Sequence, residues 1–505
     1  MRRLDLDVLL GRAAPDVLTL AVLGYLLFPA LLFLGGWLHW PLAVASVAAG
    51  LAGTVLTPGW RAGWPFGRRT TLFCLLAGLA WGFGSTGTHH LLYATVDWQI
   101  RDSVLQDLAH GGWPVVYQIG DLAWLLRAPL GYYLPAALLG PAVAHVALFL
   151  WTALGLALVL ALLVALAREG ELDRRGVVWL VLVFVAFGGL DLLPNLWLDA
   201  TEGDGIASYF GRGGEWWARH FQYSGHVTLL LWVPNHALPG WLPALLLARH
   251  ARRAEFAGSA ALGLMAAAVW GPLSAAGAAV LTGVAILAGG RATIRAALRG
   301  VPNWIALALA VPVGLFLTAG AAAIPHGWFV SEYGWGGLGT IALFLGIEVF
   351  AVGLPVLGLA RWALLAPALL LLCVLPLYSF GPGNEMTMRG GIAPLALLAV
   401  AAGMALRAGA PGWGRRALAV ALLLGAAGQA MEASILFKPP WRPTPGCTLP
   451  EAAAQSVFTD TDWSHYVVPW PEPTLLQLLA PPEPRVVDPE NVSRCWPDPA
   501  RDATG

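Results

Sequence analysis

Charge is scarce in this chain, 11% of 505 residues, yet Asp97, Arg101, Asp102, Asp107, Asp121 and Arg127 crowd into one stretch just after His89 and His90. A carboxylate set among basic groups at a water–apolar boundary is suited to taking a proton from a hydroxyl. Asp97 is the first candidate for that role and Asp102 the second. Arg101 is available to bind an anionic part of a substrate. A structural role competes for Asp97. Ile100, Val104 and Leu108 recur at helical spacing, so Asp97 falls where a helix would begin and a carboxylate would cap it. The same spacing predicts an amphipathic helix lying on a membrane surface.

A second polar stretch carries Asp191, Asp199, Glu202, Asp204, Glu215, Arg219, His220 and His226. Asp199, Glu202 and Asp204 form a secondary acidic site able to offer oxygen ligands to a divalent cation, although Gly203 and Gly205 fit a solvated turn better. Arg219, in an aromatic-basic run, is placed to meet a lipid phosphate at headgroup level. Asn235 and His236 lie between Pro234 and Pro239 in an apolar run, where polar groups must face protein or a cavity. They either bind substrate or satisfy a proline kink. Glu348 stands alone within another apolar run and is a substrate-binding candidate on the same ground. Glu385 and Arg389 sit at the mouth of a further run. Arg389 either clamps a phosphate bidentately or snorkels to headgroups. No P-loop, zinc-binding or GxSxG signature is present, so no cofactor or essential metal is expected, with a divalent ion left open.

The elements that must hold these residues are membrane helices. Hydrophobic residues make up 58% of the chain and mean hydropathy is +0.68. Apolar runs of about 17–25 residues recur, each long enough to cross a hydrocarbon core. Splitting 257–289 at Gly271-Pro272 gives an all-α bundle of about 13 spans. The stretch 132–167 is one span preceded by an interfacial piece through Pro135 and Pro141. With the N-terminus inside, Arg2, Arg3, Arg12, Arg61, Arg68, Arg69, Arg168, Arg174, Arg175, Arg249, Arg252, Arg253, Arg291, Arg295, Arg299, Arg361, Arg407, Arg415 and Arg416 all fall on the inner face, a positive-inside pattern that places the C-terminus outside. Residues 1–434 then form the membrane domain, with outer loops at 89–131 and 196–226. Residues 435–505 form a small Pro-rich outer tail in which Cys447 and Cys495 can pair in an oxidising compartment. Zero net charge argues against a nucleic-acid partner.

A long first outer loop with an early aspartate, followed by helices in a polytopic bundle, resembles the GT-C superfamily of integral membrane glycosyltransferases. DWQIRDSVLQDLAHGGWPV, FQYSGHVTLLLWVPNHALPGW and MRGGIAP carry that likeness, which is similar to multi-pass bacterial membrane proteins generally. The resemblance implies transfer of a sugar from a polyprenyl-phosphate donor to a lipid, glycan or protein acceptor. Asp97 would be the base, and the secondary acidic site would map onto Asp199 or Asp204. It also implies a bacterial inner membrane, with the active side facing the periplasm or exterior. Two features depart from the family pattern: two spans precede the third that leads into the loop, where the family usually has one span, and Asp97 is followed by Trp98 rather than a second acid. A flippase for lipid-linked glycans would instead rely on Glu348 and His236, and a non-catalytic envelope scaffold on the tail.

Overall fold

The computed structural model describes residues 3–202, 214–408, 411–444, 446–457, 463–488 and 494–496. It is mostly helical, and six of its helices are long and apolar enough to cross a membrane. These are Val17–Trp37 (α1), Ala144–Glu169, Val301–Thr318, Gly337–Leu359, Glu385–Arg407 and Trp413–Phe437. Shorter apolar helices include Trp40–Leu56, Pro272–Ala288 and Leu365–Leu377. Leu42, Val44, Val55, Leu72, Phe73 and Leu76 are exposed on its outside, an apolar surface far larger than a water-facing protein tolerates. Close helix contact depends on small residues: a Cβ on Gly78 would stand 2.6 Å from the Ala157 nitrogen.

Prolines set the breaks. The apolar run 227–248 divides into His226–Trp232 and Pro234–His250, with Pro234 opening the second helix, where its missing N–H costs nothing. Gly271-Pro272 separates Ala260–Ala268 from Pro272–Ala288, as expected. This pair returns the chain to the end it left, because the Asn303 amide donates to both Ala257 O and Ala297 O. Leu134–Ala137 precedes Ala144–Glu169 as the expected short piece.

The stretch 89–131 departs from an all-α reading. It holds one helix, Trp98–Ala109 (α2), and a hairpin of Val116–Ile119 (β1) and Leu122–Leu126 (β2). The tail adds Val467–Trp470 (β3) beside β2 and Arg485–Val486 (β4) beside β1, giving the order β3-β2-β1-β4. Cys447 and Cys495 are joined by a disulfide. Every residue of α2 is buried, so it is not a helix lying on a membrane surface. The tail helix Leu449–Gln455 and the piece Leu134–Ala137 cover the face that lipid would have met.

Candidate functional site

Asp97 occupies the capping position of α2, yet its side chain accepts nothing from the helix N–H groups. Its Oδ2 instead accepts from Arg101 Nη2 at 2.9 Å, one helical turn on. The Asp97 side chain keeps 27% exposure while that of Arg101 keeps 6%, so the carboxylate is the accessible member of the pair. Arg101 Nη1 donates to Asn235 Oδ1 at 2.7 Å, and Arg101 Nε has no hydrogen-bond partner. Asn235 is delivered by the helix start at Pro234, and His236 follows it. The His236 ring lies against Gly271, where a Cβ would meet Nδ1 at 2.8 Å, and Nδ1 has no partner.

Arg389 closes the group from the helix Glu385–Gly390. Its Nε is buried without a partner, as is Glu385 Oε2, and the guanidinium lies in the electrostatic field of Arg101 and Asp97. Tyr466 lies in the electrostatic field of all of these charged parts. Burial raises its pKa first, and the charges acting on it are Arg101, Asp97, Arg389 and Glu385. Tyr133 flanks Arg101 from the loop side, its pKa raised chiefly by burial. Sequence reasoning missed both tyrosines. The signal for Tyr466 is HYVVPW, an aromatic and β-branched run that reads as a strand.

The site therefore brings together Asp97, Arg101, Asn235, His236, Glu385 and Arg389. It combines an accessible carboxylate with two guanidiniums that carry unused N–H donors and an imidazole nitrogen without a partner, which is the chemistry of an anion site beside a base.

Other predicted residues lie elsewhere. Asp102, though next to Arg101, faces His90 and His145. Glu348 is buried and accepts from Trp217 Nε1 at 2.9 Å, in company with Asp191 and Glu215. Glu215 accepts from Gln222, Gly225 N–H, Thr228 and Gln429; burial nevertheless raises its pKa, and those four donors work against the rise. Arg219 lines a separate cleft of about 420 Å³ with Trp216, His220, His326 and Tyr333. Its lining includes Asn384, the residue before Glu385. Asp199 is buried on the helix Leu192–Glu202 and does not sit on a solvated turn. Asp204 and the Glu202 side chain lie outside the described residues. No family model matches this chain, and no curated protein or solved structure is similar enough to match it.

Proposed function

We propose that this protein is a membrane glycosyltransferase that takes a sugar from a polyprenyl-phosphate donor at the outer face of a bacterial inner membrane. The bundle crosses the membrane about 13 times with its N-terminus inside. The acceptor, a lipid, glycan or protein hydroxyl, attacks the anomeric carbon and its proton passes to Asp97. The bond from that carbon to the phosphate oxygen breaks, and the polyprenyl phosphate leaves. Arg389 and Arg101 offset the charge gathering on that phosphate in a water-poor setting. The observation that carries this reading is Arg389, half-buried, with a buried Nε that has no hydrogen-bond partner and no ion pair within 4.0 Å among the described residues, in the field of Glu385 and of the pair Asp97–Arg101.

Asp97→Asn tests it. The variant should fold and reach the membrane as the parent does, yet lose transfer from a polyprenyl-phosphate sugar. Full transfer by the variant sinks the mechanism. A flippase would move the lipid-linked sugar with its covalent structure unchanged, and product analysis separates the two.

A further inference from the structure

A second constellation lies one residue along α2 from Arg101. Asp102 is 96% buried and His90 92% buried. His90 Nε2 stands 3.0 Å from Asp102 Oδ2, and His145 Nδ1 stands 3.7 Å from Asp102 Oδ1. Short as these distances are, His90 Nε2, His145 Nδ1 and both Asp102 oxygens lack a hydrogen-bond partner. Four buried polar atoms face one another unpaired, at a cost of about 1–3 kcal/mol each where nothing compensates.

The outward nitrogens of the two rings explain why. His90 Nδ1 lies 3.0 Å from the Trp441 carbonyl, an acceptor only, so Nδ1 carries a proton, and in the neutral ring Nε2 is then a lone pair facing Asp102. His145 Nε2 lies 2.9 Å from the Gln106 amide, whose Oε1 is itself without a partner. Exchanging the amide oxygen and nitrogen lets Oε1 accept from Nε2–H and leaves Nδ1 as a second lone pair. Two imidazole lone pairs and a carboxylate then converge, with their atoms all within 4.8 Å of one another. Such a group repels itself unless positive charge, a metal ion or a second imidazole proton, sits within it.

We propose that His90, Asp102 and His145 hold a divalent transition-metal ion, with Zn²⁺ the best match. Ligands about 2.0–2.2 Å from a tetrahedral zinc stand roughly 3.3–3.6 Å apart; the two imidazole–carboxylate separations are 3.0 and 3.7 Å, and all the candidate atoms lie within 4.8 Å, so small side-chain adjustments close the shell. Imidazole with carboxylate selects this class over calcium or magnesium, which prefer all-oxygen shells. The Trp441 carbonyl and the Gln106 amide fix each ring by its outer nitrogen, as supporting groups do around bound metals. Three protein ligands leave a fourth position for water. The ion fastens the loop residue His90 and α2 to the helix Ala144–Glu169, and so fixes the rotation of α2 that aims Arg101 and Asp97. The ion site does not depend on the transferase reading.

The test uses full-length protein in detergent, purified without a histidine tag, stripped by chelation and then dialysed against Zn²⁺. Elemental analysis should find about one tightly held zinc per chain, and zinc should raise the Tm of the stripped protein. Asp102→Asn combined with His145→Gln should abolish both effects. Co²⁺ loaded into the unaltered chain should give visible d–d bands, a readout that needs no variant to fold. Retention of Mn²⁺ or Fe²⁺ in preference to zinc would overturn the choice of ion but support the site. Absence of retained metal, Tm shift and d–d bands together would overturn the site, leaving a water-bridged His–Asp pair.

Discussion

Arg249 and Arg389 are the same residue type at opposite ends of the bundle, and they are used in opposite ways. Arg249 is 4% exposed and spends its guanidinium on protein: Nη1 and Nη2 grip Asp16 at 2.9 and 2.7 Å, and Nε donates to Glu169 at 2.7 Å. That fork ties α1 to the ends of two further helices. Arg389 has an unpartnered Nε and no ion pair among the described residues; Glu385, one turn earlier, favours its charge and nearby Arg101 opposes it. A cation so lightly engaged by its own protein has donors to spare for an external anion. One arginine holds the fold together, and the other is, in the proposed function, the one that meets the donor's phosphate.

The contrast breaks most sharply at Arg249. Arg249→Ala leaves Asp16 and Glu169 facing each other in a buried site, and should cost about 3–5 kcal/mol, read as lost Tm and poor recovery from the membrane. Arg389→Ala should lower transfer on the order of 10²–10³-fold yet leave the Tm nearly unchanged, because no ion pair among the described residues is lost with it. If Arg389→Ala unfolds the protein, the two arginines are alike and the comparison fails.

A smaller effect separates the loop–tail contact from both. Asp107 joins α2 to the tail by accepting from Leu449 N–H at 2.8 Å and Tyr117 OH at 2.6 Å. Burial raises its pKa to about 6, against those donors and Arg485, which favour the charged form. The folded state therefore holds this proton more tightly than the unfolded chain. The stability that results is fully present below about pH 4 and is lost as pH rises to about 6, of order 3 kcal/mol in all. Thermal unfolding of the parent should show that decline, and Asp107→Asn should flatten it. An unchanged slope would mean that Asp107 is not the group titrating.

The helical class was legible because apolar runs and charge placement follow from the hydrocarbon core alone. The helix breaks at Pro234 and Pro272 were legible because proline lacks the N–H that a helix interior needs. The pairing of loop and tail was not, since β2 and β3 lie far apart in sequence and short strands gain their meaning only from a partner. The hairpin itself left a trace, VYQI and LAWLL around Gly120-Asp121, which alternation reads as two strands. Asp97, Arg101, His236 and Arg389 could be singled out because charge is expensive in an apolar chain. Their convergence rests on Tyr466 and the tail, which no local pattern reveals. The His90–Asp102–His145 group escaped because its ligands follow no metal-binding spacing: two come from the loop and one from an apolar helix.

Binding of a polyprenyl monophosphate to the purified protein tests the central claim most directly, with the uncharged polyprenol as control. The phosphate should bind at least tenfold more tightly than the alcohol, and Arg389→Ala should erase that difference while Asp97→Asn preserves it; about tenfold corresponds to 1.4 kcal/mol. Equal binding of phosphate and alcohol, or an Arg389→Ala variant that still discriminates, would contradict the account.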